Sequence, residues 1–126
     1  MPAIAVPKVL VVEDDFLLSL NARLLLESAG YNVVVADDGQ QALARLAKNG
    51  GVAAIFTDVN MPGPVNGLDL AREVHQRWPG VAIFVTSGAV PLSDDDLPPS
   101  ATFLPKPYTS VQLIRLLNER LAGKSG

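Results

Sequence analysis

Three carboxylates, a threonine and a lysine each stand directly after a short apolar run, and that placement could do chemistry. Glu13 and Asp14 follow Val9-Leu10-Val11-Val12, and Asp58, with Thr57 before it, follows the run from Val52 to Phe56. Thr86 follows Val81 to Val85, and Lys106 sits between Pro105 and Pro107 after Ala101 to Leu104. If these runs are neighbouring strands, their polar ends converge on one edge of a sheet. Carboxylates at ~4 Å repel by about 4 kcal/mol per pair at an effective dielectric near ~20, so a cation is expected among them. The donors are oxygen, with no His or Cys in the set, which points to Mg²⁺, or Mn²⁺, rather than zinc.

The elements that must bring these groups together are legible as alternating strand and helix patterns. The run Val9–Val12 has no polar alternation, as in a strand covered on both faces. It is followed by a helix over 16–29, where Leu17, Leu20, Leu24 and Leu25 recur at helical spacing and Gly30 gives the stop. Asp15 is placed to cap that helix. A second strand is expected over 33–36, a second helix over 38–48, a third strand over 52–56 and a third helix over 68–77. Between the last two lies a Pro/Gly-rich loop from Asn60 to Gly67, in which Gly63 and Gly67 are expected as turn residues. A fourth strand spans 81–85. The stretch 89–100 holds three prolines and Asp94-Asp95-Asp96, which leaves room for one or two helical turns at most. A short fifth strand over 101–104 and a last helix through Leu121, capped by Thr109, complete the series.

Short loops joining such units imply an α/β fold of three layers, a doubly wound (βα)5 parallel sheet with helices on both faces. The expected strand order is 2-1-3-4-5, flavodoxin-like, with a short or irregular fourth helix, and ligands gather at the carboxyl ends of the strands near the point where the order reverses.

Composition narrows the function classes. The 126 residues suit one domain, and neither a repeat nor a linker interrupts them, so 1–126 is expected to be a single domain without an effector domain. Ten Lys plus Arg stand against thirteen Asp plus Glu, a net charge of −3, which argues against direct nucleic-acid binding. The absence of cysteine excludes disulfides and thiol chemistry. Mean hydropathy is +0.26, yet no apolar run approaches the ~20 residues that span a bilayer. The start carries no basic region of a secretory signal, so a cytoplasmic location and no membrane contact are expected. His75, the one histidine, is expected on a helix surface, and no nucleotide-binding glycine pattern is present.

Four segments carry a resemblance over essentially the whole chain. Val11-Val12-Glu13-Asp14, Thr57-Asp58-Val59-Asn60-Met61-Pro62-Gly63, Val85-Thr86-Ser87-Gly88 and Leu104-Pro105-Lys106-Pro107-Tyr108 resemble, in order and at the right strand ends, the receiver domains of response regulators in two-component signalling. The resemblance implies that Asp58 is the phosphoacceptor, taking a phosphoryl group from a phosphohistidine or a small acyl phosphate. It implies Mg²⁺ held by Asp14, Asp58 and the backbone carbonyl of Asn60, with Glu13 acting directly or through water. Lys106 and Thr86 would bind phosphoryl oxygens, and Thr86 with Phe103 would form the switch. Lacking a hydroxyl, Phe103 can change burial but makes no hydrogen bond. The Lys106–Pro107 bond is expected to be cis.

The implied partners are a histidine kinase or phosphotransfer protein and a downstream protein target, with the chain a monomer or a phosphorylation-dependent dimer. It would be no enzyme beyond its own phosphorylation and slow self-dephosphorylation. A phosphoryl sink or carrier is a second role within the same family. A Mg²⁺-dependent phosphatase forming an aspartyl phosphate is the alternative from another class, but it predicts an acid two residues after the nucleophile, where Asn60 stands. Two departures from the family pattern are visible: one extra residue between Pro62 and Gly67, and little room for a fourth helix in 89–100.

Overall fold

The computed structural model of the chain describes residues 7–48, 51–61, 63–88 and 97–122, Ala122 by its backbone alone. Five strands, β1 (Lys8–Val12), β2 (Asn32–Ala36), β3 (Val52–Asp58), β4 (Ala82–Ser87) and β5 (Ala101–Pro105), form one parallel sheet in the order β2-β1-β3-β4-β5. The helices are α1 (Phe16–Ser28), α2 (Gly39–Lys48), α3 (Gly67–Arg77) and α4 (Ser110–Ala122). The doubly wound fold read from the strand and helix pattern is the fold observed, within a residue or two at most element ends. The expected irregular turns fall mainly on 89–96, outside the described residues, and 97–100 is turn.

Because side chains alternate along a strand, each strand feeds two cores. Val9, Val11, Phe56, Phe84 and Leu104 meet Ala22 and Leu26 of α1 and Leu113 and Leu117 of α4. On the opposite face Leu10, Val12, Ile55, Ile83 and Val85 meet Ala42 and Leu46 of α2 and Leu70, Ala71 and Val74 of α3. Each fully buried side chain of this size contributes about 1.5–3 kcal/mol. Both edges of the sheet are guarded by arginine: Arg45 Nε donates to Val35 O on β2 at 3.1 Å, and Arg120 Nη2 donates to Ser100 O beside β5 at 2.8 Å. Such charged side chains discourage strand addition at an open edge.

The helices start where their sequences supply caps. Asp15 Oδ1 accepts from the N–H groups of Leu17 and Leu18, Asn66 and Asp69 form a reciprocal capping box, and Thr109 and Gln112 exchange side-chain and backbone bonds in the same way. Gly30, at φ 98°, ends α1 in the left-handed conformation that only glycine adopts without strain.

The helical spacing of Leu17, Leu20, Leu24 and Leu25 marks the helix but not its inward face: Leu25 packs partly against the core, while Leu17, Leu20 and Leu24 face solvent, with Leu17 72% exposed. Ala22 and Leu26, on the opposite side, are buried. The small Ala22 lets the helix approach the sheet, and α1 is left apolar on its outer face as well. Among the described residues no helix is long and apolar enough to cross a membrane.

Candidate functional site

The alternation that builds the α1/α4 core also builds the site. Val11, Phe56, Phe84 and Leu104 point to this face, and two positions further along each strand come Glu13, Asp58, Thr86 and Lys106. The four side chains line one cavity at the carboxyl end of the sheet. Asp58 pairs in register with Thr86, which pairs in turn with Leu104.

Asp58 is 8% exposed and its two oxygens are both engaged. Lys106 Nζ donates to Oδ2 at 2.7 Å, and the Asn60 N–H donates to Oδ1 at 3.0 Å. Burial lowers the Lys106 pKa, but the hydrogen bond and charge of Asp58, together with Glu13 and Tyr108, outweigh it and leave the ammonium above its ordinary value. Glu13 is pushed the other way for a carboxyl group. Burial raises its pKa, the Asp15 N–H at 3.1 Å lowers it, and the Asp58 charge and Asp14 raise it further, so the net shift is upward. The expected crowding of acids is therefore real between Glu13 and Asp58. Asp14 is exposed at the rim.

Thr86 is 3% exposed, and its Oγ1 has no hydrogen-bond partner. A buried hydroxyl without a partner costs about 1–3 kcal/mol, and among the described residues this is the one buried side-chain oxygen or nitrogen left unpaired. Phe103 is half-buried and in register with Val85, on the face of β5 away from Lys106.

Among the described residues, no three His, Cys, Asp or Glu side chains are arranged around a common point as metal ligands. Glu13 faces the Asp15 N–H, and Asp58 is divided between Asn60 and Lys106. What the site does offer a hard divalent cation is donor chemistry: carboxylate oxygens whose mutual repulsion such a cation would relieve.

Backbone bonds hold the strand ends together. The Val59 N–H donates to Thr86 O, the Gly67 N–H donates to Val59 O, and the Lys106 N–H donates to Ser87 O, at 3.0, 3.0 and 3.2 Å. The Lys106–Pro107 peptide is cis, as the family resemblance implied. Gly67 opens α3 so close to β3 that a Cβ would overlap the Asp58 carbonyl oxygen, a role beyond the turn expected of it. The β3–α3 loop tucks Val65 against α2, where Gly39 leaves no room for a Cβ. Tyr108 was visible only as part of the lysine segment. It lines the same cavity and meets Phe56 edge-on at 5.6 Å between ring centroids, and burial raises its pKa against the lowering charge of Lys106, with Glu13 and Asp58 adding to the rise. Its position two residues after the lysine was the signal available.

Comparison with known proteins gives one answer at three levels. The family model for the response regulator receiver domain matches residues 9–118. The transcriptional regulatory protein CpxR of Klebsiella pneumoniae is 35% identical over 115 residues, 85% of this chain and 46% of that protein; the chain thus spans under half of this relative. The response regulator receiver protein CpdR of Brucella abortus is 32% identical over 117 residues, 90% of this chain and 96% of that one. The crystal structure of a response regulator receiver protein from Sinorhizobium medicae superimposes with a TM-score of 0.86 at 27% identity, covering 93% of this chain and 95% of the other.

Proposed function

The chain belongs to the response regulator receiver domain family of two-component signalling, and from that premise we propose that it accepts a phosphoryl group on Asp58 in the cytoplasm and passes the change to a protein partner. The observation that carries the reading is the buried Asp58 carboxylate held at 2.7 Å by Lys106 beside an unpartnered, buried Thr86 hydroxyl.

In the step, an Asp58 carboxylate oxygen attacks the phosphorus of a phosphohistidine on a kinase or phosphotransfer protein, or of a small acyl phosphate. A new P–O bond forms as the bond to the imidazole nitrogen or acyl oxygen breaks, and the leaving group takes the electron pair. Lys106 already stands on one side of Asp58, so its ammonium passes from the carboxylate oxygen to a phosphoryl oxygen with little travel. The Thr86 hydroxyl gains the acceptor it lacks, which draws the end of β4 toward Asp58. Glu13, Asp14, Asp58 and the Asn60 carbonyl would hold Mg²⁺, which supplies neutralisation of charge on the transferring group. Glu13 would then leave its Asp15 contact to serve as a ligand.

Phosphorylation adds about 1.5–2 negative charges and new acceptors at a buried point, so the conformation with Thr86 and Lys106 turned inward gains stability. The test is an NMR titration with beryllofluoride and Mg²⁺, which mimic the acyl phosphate. Shifts centred on Asp58, Thr86 and Lys106, lost in Asp58→Ala, are expected. A wild-type spectrum that does not respond would overturn the proposal.

A further inference from the structure

The cavity at Asp58 is larger than a phosphoryl group and a metal ion need. It measures about 810 Å³, within the range of small-molecule sites, and continues from the polar strand ends into a cleft between α1 and α4. Val11 and Phe56 lie at its floor, Leu18 and Leu25 of α1 on one side, Tyr108 and Leu113 on the other. Phosphoryl transfer makes no use of this apolar half.

We infer that the cavity binds an organic ammonium ion with an apolar, preferably aromatic, body: the ammonium at the Glu13 and Thr86 end, the body in the cleft between α1 and α4. Three observations select the charge and the shape. Lys106 is hydrogen-bonded to Asp58, and among the described residues Glu13 has no ion pair, so the polar end sets two carboxylates against one ammonium. An anionic head would meet Glu13 and Asp58 together, a like-charge contact that an ammonium turns into attraction. Independently of the acids, Thr86 lines the same cavity, and its buried Oγ1 has no partner; a small turn of the side chain would bring that oxygen to an N–H donor as an acceptor. Finally, Phe56 and Tyr108 present an edge-to-face aromatic pair to the cleft, a surface suited to a flat apolar body and to a cation near its rings.

Such a ligand and a divalent cation would compete for the same carboxylates, and the ammonium would hold the Thr86 hydroxyl that a phosphoryl group requires. Bound amine thus keeps the domain in its unphosphorylated form. This regulatory consequence rests on the phosphoacceptor reading of Asp58, whereas the binding itself does not.

The experiment is a methyl NMR titration of the full chain in EDTA with 2-phenylethylamine, set beside 2-phenylethanol and 3-phenylpropionate as neutral and anionic probes of similar shape. Saturable shifts are expected at the methyls of Leu18, Leu25 and Leu113, with the alcohol and the acid at least about tenfold weaker, the loss of one charge-assisted hydrogen bond. Leu18→Ser, at a side chain already 51% exposed, opens the apolar wall without emptying the core and is expected to weaken the amine. Added Mg²⁺ should raise the apparent Kd of the amine. Equal or tighter binding of the acid, or no saturable shift at these methyls with the amine, overturns the proposal. Labelling of Asp58 by acetyl phosphate and Mg²⁺, without amine, reads the phosphoacceptor function separately. If labelling fails while the amine binds, the proposed function falls and the site stands; if labelling succeeds while the amine leaves the cleft unmoved, the site falls and the function stands.

Discussion

Replacing Thr86 by Val should make the unphosphorylated protein more stable and the phosphoryl-like state harder to reach. Thr86 Oγ1 is buried and unpaired, and the residue is 3% exposed among fully buried neighbours such as Phe84 and Val85. Val keeps the branched shape and removes the hydroxyl, so the substitution relieves a desolvated group that costs about 1–3 kcal/mol. With a urea m-value of about 2 kcal/mol/M for a domain of this size, the midpoint should rise by roughly 0.5–1.5 M with m unchanged. Beryllofluoride and Mg²⁺ at ~100 times their Kd should stabilise the wild type by about 2.7 kcal/mol. The variant forgoes a hydrogen bond to a charged acceptor, about 1.5–3 kcal/mol, so most of that gain should vanish. Urea denaturation with and without the phosphoryl mimic measures both effects. A variant less stable than wild type without the mimic would show that the hydroxyl has a partner, and an undiminished gain with the mimic would show that Thr86 does not meet the phosphoryl group.

Other substitutions test the rest of the geometry. Lys106→Met leaves Asp58, whose side chain is 10% exposed, without its counter-charge; a loss of about 1–2 kcal/mol is expected, between the values for exposed and buried pairs, and should persist in high salt when followed by urea denaturation. Glu13 has a raised folded-state pKa, caused first by burial, so the folded protein binds the proton more tightly than the unfolded chain. Its contribution is present below the unfolded value of 4.5 and is lost as pH rises through the higher folded value. Glu13→Gln in EDTA should accordingly stabilise the protein at neutral pH by a few tenths of a kcal/mol after solvent screening, and the gain should disappear in urea titrations well below that pH. Gly67→Ala would drive a Cβ into the Asp58 carbonyl oxygen, backbone that cannot easily yield; a loss of about 1–3 kcal/mol and a shifted Asp58 amide resonance are expected, and an unchanged midpoint would contradict the close approach.

What the sequence made legible here was set by local rules, and what it hid depended on three-dimensional distance. The strands announce themselves because both faces are buried, so β-branched runs continue unbroken until a polar residue marks the edge. Asp58, Thr86 and Lys106 could be placed at one end of the sheet on that basis alone. The α1 orientation could not be read, because Phe16, Leu17, Leu20 and Leu24 cover the side of the helix opposite Ala22 and Leu26. With apolar residues all round, periodicity names no inward face, and the decision falls to Ala22, whose small size matters only against the sheet. Gly67 reads as one more loop glycine until its distance to the Asp58 carbonyl is known. The residues about 48 positions apart that form the Lys106–Asp58 pair carry types that suggest attraction, but the fact that the ammonium already occupies Oδ2 is a matter of geometry.

That occupied carboxylate bears on how a signal would leave the site. Val85 and Phe84 are fully buried on opposite faces of β4, so the strand has no slack toward the core into which a displaced Thr86 could move. Its backbone is tied sideways instead, through Thr86 O to Val59 and Ser87 O to Lys106. Drawing the Thr86 hydroxyl and the Lys106 ammonium to one new group would therefore pull on the ends of β4 and β5 together. Phe103 would follow because it is in register with Val85, a coupling that needs no hydroxyl. On this account the aromatic residue would report the motion of β5 through burial alone, and the origin of the motion would be the unpaired hydroxyl in register with Asp58 on the neighbouring strand.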